Sequence, residues 1–589
     1  MSAVETVSEL EGRGSAGCEA ADIRQLAVVG DRRTCAMVSS DGRIVWYCPA
    51  RFDAPSLLAT LLDPDRGGGW TLTLPSDARP AGRNYLADSA VLQTHFDLAG
   101  GRFTVTDWMP MGEGCPRGIC RVFSRAPQSI GSCLVPAPDY ARAELDLQPV
   151  PGGVCINGER WFYASHPVSV DASQIRLELP AGEEGWVFLA DAPGSFSRTD
   201  LDSWLAATLD AWREVTSHIT YRGPFEAQVA HSLRALRLLT HQPNGGIIAA
   251  ATTSIPEVPQ GTRNYDYRYV WMRDTGMIVS ALVRAGSNGP DERRFLEFIC
   301  GSRQDEPGQP LLSPFVSLDF KPAPREMELE LAGYRNSRPV RLGNGASEQF
   351  QLDGFANVLL AAKLIYGRHG TREHWDTVSR IADLLADRWQ EPDHGIWEEH
   401  EKRQYTTGKV ITACGLRYIA EFAEDPSQAG RWRSAADEIQ AYVARSCKTS
   451  EGAYAVYAGS DAVDVSAVLF PIWGYTDADS PEMLATINVL ERDYAKGHLY
   501  WRNLEELGGF QEGAFLAGSI WVAQYWVMRK DLNRARDILE CVLGYTTDLG
   551  FFSEEADPDT GQMLGNLPQT FVHAAFIGAV LDYKNACAV

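Results

Sequence analysis

Several features are missing from this sequence, and each absence closes off a class of function. No run of about 18 or more apolar residues occurs, so no membrane-spanning helix is expected. The stretch Met1 to Ala21 is acidic and rich in small side chains, without the basic segment and apolar core of a secretory signal. Basic residues are outnumbered, 54 against 77 acidic ones for a formal charge of -23, and form no dense cluster. Neither nucleic acid nor an anionic membrane is therefore an expected partner. The 12 cysteines contain no Cys-x-x-Cys pair and the 11 histidines no His-Glu-x-x-His spacing. A Walker-type or dinucleotide glycine loop is also lacking, so no metal or organic cofactor is implied. Dispersed thiols, several of them in helical patterns (Cys300, Cys414, Cys541), read as reduced and buried, which points to the cytoplasm.

What is present is a long chain with two periodicities. At 589 residues it exceeds one ordinary core, and its hydrophobic content of 45% with 16 Trp is that of a folded protein. Up to about residue 195 apolar residues alternate with polar ones between turn dipeptides. Thr34–Ser39 and Arg43–Cys48 flank Asp41-Gly42 as a hairpin, and Ala90–Phe96 with Phe103–Trp108 read as another. Residues 1–198 are thus expected to form an antiparallel β-sandwich. Residues 199–223 are assigned to a linker helix with Leu201, Trp204, Leu205, Leu209 and Trp212 on one side.

From Pro224 the period becomes helical, and residues 224–589 carry roughly a dozen segments. These fall near 225–241, 269–286, 291–303, 351–368, 371–389, 407–422, 427–446, 464–473, 481–493, 511–528, 532–547 and 568–584. The even-numbered segments are apolar nearly all round and the odd ones carry a charged face, as inner and outer helices do. The fold class expected is therefore α+β multidomain: a β-sandwich followed by an (α/α)6 barrel.

The unusual residues gather where the inner helices begin. Trp271, Arg273 and Asp274 stand at the second segment, Asp353 at the fourth, Trp397, Glu398 and Glu399 before the sixth. Arg502 and Glu512 precede the tenth, and Glu554 and Glu555 the twelfth. In a barrel with parallel inner helices these would share one rim, a cleft lined by indoles and carboxylates. Gly395-Ile-Trp-Glu-Glu399 has the chemistry of acetal cleavage: one carboxyl must stay protonated, and a wall that excludes water raises its pKa. Trp397 is a candidate for that wall, and indoles also suit the apolar face of a sugar ring. Singly, each feature has a plainer reading. Arg273 and Asp274 can be a local ion pair, Asp353 a helix-start carboxylate, and Glu554 and Glu555 solvated turn residues.

Taken together, these residues resemble bacterial glycoside hydrolase family 15, the glucoamylases, glucodextranases and trehalase-like members. The resemblance is carried by Asn264-Tyr-Asp-Tyr-Arg-Tyr-Val-Trp-Met-Arg-Asp274, Pro339–Asn344, Gln351-Leu-Asp353, Gly395–Glu398, Glu512–Phe515 and Gly550–Glu555 running into Leu564–Gln569 and His573. Ala27–Asp31, Asp41–Trp46 and Arg51–Pro55 are similar to the N-terminal part of the trehalase-like members. The resemblance implies an exo-acting, inverting α-glucoside hydrolase of glucoamylase, isomaltose glucohydrolase or trehalase type. It implies Glu398 as general acid and Glu554 as general base, with Glu555 the alternative. Arg273, Asp274, Trp271, Asp353, Trp397, Glu399 and Arg502 are implied to hold the sugar. An inverting pair stands roughly 6.5–9.5 Å apart to admit a water, which carboxylates from distant segments can do and chain neighbours cannot.

Departures from the family pattern are Tyr265, Phe355-Ala-Asn357, His400, Ala413 and Val572. They spare the two carboxylates and bear on the leaving group. The other classes considered are a disaccharide phosphorylase on the same architecture, an epimerase using histidines such as His573, and a non-catalytic carbohydrate-binding protein. A small carbohydrate is the expected partner, and oligomeric state is left open.

Overall fold

The computed structural model describes residues 21–286, 291–301, 313–321, 323–502 and 512–588. The N-terminal stretch through residue 20, residues 302–303 of the third predicted helix and residue 511 at the start of the tenth lie outside the described residues.

Fifteen strands between Leu26 and Ala190 form two antiparallel sheets of seven and eight strands. Strand β1 (Leu26–Gly30) pairs with β2 (Cys35–Ser39), and β2 with β3 (Ile44–Tyr47). The Asp41-Gly42 turn joins β2 to β3, with Gly42 at φ 79° in the left-handed region such turns need. The predicted second hairpin is also formed, Leu92–Leu98 against Gly101–Trp108. Every residue of β1 and β2 is buried because the sheet is covered on both faces. Ala27, Val29, Ala36 and Val38 enter the core between the sheets, while Leu26, Val28, Cys35 and Met37 join the core shared with the helical part. Inside the sandwich, Arg121 bonds Asp107 at 2.7 Å with both side chains at 0% exposure, and its guanidinium lies 5.1 Å from the Trp70 ring.

Helix α1 (Arg198–Thr216) begins at Ser197, whose side chain forms a capping box with Asp200. It buries Leu201 against the eight-stranded sheet beside Trp186 and Phe188. One turn of the β unit is unusual: Asp139, Tyr140 and Ala141 follow one another at φ 51°, 57° and 61°. Left-handed backbone costs an L residue about 1–2 kcal/mol, and none of the three is glycine.

Beyond residue 225 the helices alternate as the pattern predicts. Outer helices are α2 (Glu226–Leu238), α4 (Asp291–Gly301), α6 (Trp375–Arg388), α8 (Pro426–Ser446), α10 (Pro481–Val489) and α12 (Leu532–Leu543). The inner ring consists of α3 (Met272–Arg284), α5 (Leu352–His369), α7 (Thr406–Ile419), α9 (Leu469–Ile472), α11 (Leu516–Met528) and α13 (Thr570–Cys587). Each inner helix packs on its ring neighbours, and α13 returns to α3, closing the barrel. Helix α11 buries 11 of its 13 residues, as a helix apolar on all sides must.

Two inner elements depart from expectation. The predicted helix 464–473 is a 3-10 turn, Val465–Val468, followed by the four residues of α9. Pro471 supplies no N–H, and Gly474 at φ 76° ends the run. The tenth segment starts as strand, not helix: Ala514-Phe515 pairs with Glu555-Ala556, which pairs with Met563-Leu564. No helix among the described residues is long and apolar enough to cross a membrane.

The buried Arg121–Asp107 pair yields a stability test. Asp107→Ala leaves a buried guanidinium without its counter-charge and is expected to cost the β unit about 3–5 kcal/mol in a denaturant titration. The double replacement Asp107→Leu with Arg121→Met should recover most of that loss.

Candidate active site

Where the inner helices begin, side chains from widely separated stretches of the chain enclose a cavity of about 550 Å³. The segment Tyr265–Trp271 forms one wall. Its backbone pairs in extended form with residues 249–254, the carbonyls of Tyr265, Tyr267 and Tyr269 accepting at 2.9 Å from Ser254, Ala250 and Ala249. Side chains of an extended segment alternate, so Tyr265, Tyr267 and Trp271 face the cavity.

Glu398 sits on the opposite loop in a left-handed conformation, φ 63°, which for a residue with a side chain is strained by about 1–3 kcal/mol. Its surroundings hold it there. Gly395 also turns left-handed at φ 69°, and a Cβ on it would meet the Tyr405 ring at 2.8 Å. The Gln349 side chain donates to the Glu398 carbonyl at 3.0 Å, and Arg273 donates to the carbonyl of Ile396. The indole that meets the Glu398 carboxyl is Trp271, whose Nε1 donates to Oε1 at 2.6 Å. Arg273 Nη1 lies 3.5 Å from the same oxygen, and its Nε bonds Asp274 at 2.8 Å. Burial raises the Glu398 pKa; Arg273 and Trp271 oppose this, and Asp274 and Asp353 add to it. Trp397 has a different office from the one expected: it lines the cavity, but its Nε1 donates to Asp464 and its ring packs on Phe515 and Trp521.

The second carboxylate, Glu554, immediately precedes the short strand Glu555–Ala556. Glu554 Oε1 accepts from the Tyr267 hydroxyl at 2.8 Å, and Oε2 bonds no described residue. Gly565 at φ 73° faces it so closely that a Cβ there would lie 2.6 Å from the Glu554 Cβ. Behind Glu554 lies a buried charge cluster centred on Arg502. That guanidinium bonds Glu512 at 2.8 Å and Glu257 at 2.6 Å, and lies 3.4 Å from Glu555 and 3.9 Å from Glu554. Arg263 adds a second guanidinium, 2.9 Å from Glu512 and 3.1 Å from Glu257.

Burial raises both Glu554 and Glu555, each opposed by Arg502. Glu555 is fully buried and neither of its oxygens has a hydrogen-bond partner, whereas Glu554 has one oxygen bonded by Tyr267 and borders the cavity. Glu257, Glu512 and Glu555 bring one oxygen each within 4.8 Å of one another, a spacing a cation could use; Arg502 supplies the positive charge at that point.

Of the residues singled out in sequence, Trp271, Arg273, Asp274, Trp397, Glu398, Glu399, Arg502 and Glu554 all border this one cavity. Asp353 does not: it is 0% exposed at the start of α5, beyond Arg273, with its pKa pushed up to about 6 by burial. Glu555, the first residue of the strand Glu555–Ala556, is fully buried and does not line the cavity. His573 is a core residue at 0% exposure, packed on Phe552 with its pKa pushed down to about 3 by burial, which removes it as an acid or base. Among the departures, Tyr265 and His400 line the cavity, whereas Phe355, Asn357, Ala413 and Val572 are buried in inner helices and do not. Sequence inspection missed Tyr267, Glu257, Asp464 and Gly565. The alternation of tyrosines in Tyr265-Asp-Tyr-Arg-Tyr269, a two-residue period within a helical half, was the available signal for the first.

Comparison with known proteins gives matches over the whole length. The model of glycosyl hydrolases family 15 matches residues 223–529 and 524–581, and that of the trehalase-like N-terminal region residues 13–183. A trehalase of Mycolicibacterium smegmatis is 30% identical over 621 residues, covering 96% of this chain and 91% of that protein. A trehalase of Thermoplasma volcanium is 28% identical, covering 93% and 91%. In fold the chain is similar to a bacterial glucoamylase complexed with acarbose, with a TM-score of 0.72 at 14% identity over 97% of this chain and 96% of that one.

The contact at Gly565 makes a direct test of this geometry. Gly565→Ala should displace Glu554 and lower kcat by about 10²-fold, as misplacing a reacting group by about 1 Å does. A thermal melt should also fall, by the cost of a left-handed alanine, about 1–2 kcal/mol, and that of relieving the contact with Glu554.

Proposed function

Because this chain belongs to glycosyl hydrolase family 15, and is thus a glycoside hydrolase, we propose that it is an exo-acting, inverting α-glucosidase with Glu398 as general acid and Glu554 as general base. The observation that carries this is the pairing of two carboxylates from separate elements on one cavity, each held by a side chain of the same segment: Trp271 on Glu398 and Tyr267 on Glu554. Glu398 donates its proton to the glycosidic oxygen as the bond to the anomeric carbon breaks. Glu554 takes a proton from the water that attacks the opposite face, so the released glucose is the β-anomer. Arg273, Asp274, Trp397 and Glu399 hold hydroxyls and the ring face of the sugar to be released, and Arg502 balances the charge behind the base.

Trehalose is the substrate placed first, on the strength of relatives that carry that name over nearly their whole length. The likeness to a glucoamylase supports the fold alone. Residues 1–198, 199–223 and 224–589 are proposed as β-sandwich, linker and catalytic barrel, and the dispersed, mostly buried cysteines of the described residues fit a reducing, cytoplasmic setting.

Incubation with trehalose, maltose, isomaltose and soluble starch, with the anomer followed by NMR, tests the proposal. β-Glucose is expected from trehalose first, with Glu398→Gln and Glu554→Gln each losing about 10²–10⁴-fold and Glu555→Gln much less. α-Glucose alone from trehalose, in place of the equal α- and β-anomers that inversion at one of its two α-linked units gives, or activity surviving in Glu554→Gln, would overturn the mechanism, and glucose 1-phosphate formed in phosphate buffer would favour a phosphorylase. The pH profile of kcat/KM should be a bell with both limbs above the ordinary carboxylate range, because only the singly protonated pair is active while burial raises Glu398 and pushes Glu554 up to about 8.

A further inference from the structure

Two motifs of the β unit, Asp41–Trp46 and Arg51–Pro55, border no part of the cavity. Both lie against the back of the segment that does. In Tyr265–Trp271 the side chains that alternate with the cavity-facing ones include Asp266 and Arg268, at 0% and 1% exposure. Arg268 forms a two-pronged bond with Asp266, Nε to Oδ1 at 2.8 Å and Nη2 to Oδ2 at 2.7 Å. Its remaining nitrogen, Nη1, crosses into the β unit and donates to the Tyr140 hydroxyl at 2.6 Å and the Ala54 carbonyl at 3.1 Å. The guanidinium is also 5.7 Å from the rings of both Trp46 and Tyr140. Trp46 is pinned in turn, its Nε1 donating to the Ala251 carbonyl at 2.9 Å. Tyr140 reaches Arg268 from the middle of the three left-handed residues, a costly conformation kept where it delivers this ring and hydroxyl.

We infer that the β unit is a positioning part of the catalytic site: Tyr140 and Trp46 hold Arg268, and Arg268 sets the adjoining residue, Tyr267, on Glu554. The inference rests on Glu554 being the base. The link is short because one planar peptide joins residues 267 and 268, so a shift of the clamped residue moves its neighbour. Tyr267 is where such a shift would register, since its hydroxyl bonds Glu554 at 2.8 Å and Glu257 at 3.3 Å while its ring lies 5.6 Å from Trp271, the partner of Glu398.

The test uses the full chain with Tyr140→Phe, which keeps the ring and removes the oxygen that accepts from Arg268. A fall in kcat of about 5- to 30-fold is expected with KM changed less than about twofold, the signature of a transition-state effect. Glu554 is faced by Tyr267, Glu257, Arg263, Arg502 and Glu555; of these only Tyr267 is loosened. Losing its hydrogen bond disfavours the carboxylate, so the limb of kcat/KM set by Glu554 should move to higher pH in Tyr140→Phe, as in Tyr267→Phe. Adding Tyr140→Phe to Tyr267→Phe should have no further effect, because the first acts through the second. Val187→Ala, a cavity in the sandwich core away from the clamp, should lower the melting temperature and leave kcat and that limb in place. If Tyr140→Phe behaves like Val187→Ala while Tyr267→Phe shifts both readouts, the β unit is only a structural support and the inference fails. If Glu554→Gln retains activity, the base is elsewhere and the inference falls with that reading.

Discussion

The guanidinium of Arg502 meets four carboxylates inside the protein, and the rim of the barrel depends on it. Taking carboxylates out of water costs several kcal/mol each, and is tolerated only where opposite charge and hydrogen bonds replace the solvent. Arg502 and Arg263 do this for Glu257 and Glu512, and so tie the loop after residue 254, the start of α11 and the small sheet before α13 into one body. Two charges remain uncompensated. Burial raises both the fully enclosed Glu555 and Glu554, which borders the cavity, toward their protonated forms, and that relieves part of the excess.

The scaffold around this cluster turns barrel topology into chemistry. Inner helices begin on one rim, so short loops and strands before α3, α7, α11 and α13 bring Arg273, Glu398, Arg502 and Glu554 to a common cavity. Strain is concentrated in the connecting segments: Glu398 and Gly395 are left-handed on one side and Gly565 on the other, where regular helix could not aim these side chains. The extended segment Tyr265–Trp271 then does two jobs with its two faces. One carries the tyrosine and indole that grip the carboxylates, and the other is locked against the β unit through Arg268.

Much of this was legible in the chain. The change of apolar period near residue 200 separated sheets from helices, because alternation and three-to-four spacing are consequences of backbone geometry alone. Trp271, Arg273, Asp274, Glu398 and Arg502 were legible as rare residues recurring at predicted inner-helix starts. Asp353 and His573 stood in the same positions and proved to be interior, since position along a helix does not say which way a side chain points once neighbouring helices are packed. Asp464 and Glu257 were invisible for the converse reason. Their partners Trp397 and Arg502 lie 67 and 245 residues away along the chain.

By itself, the sequence determined the β-then-α order, the alternation of buried and amphipathic helices, the family and the presence of two separated glutamate sites, all carried by local periodicity or contiguous motifs. Only tertiary structure brought Glu554, and not Glu555, to the cavity, because Glu555 is held in a small sheet by the pairing of Glu555-Ala556 with Ala514-Phe515 and Met563-Leu564. It likewise decided that Trp271, not Trp397, meets the Glu398 carboxyl, because that contact closes across 127 residues of chain and depends on how the barrel shuts.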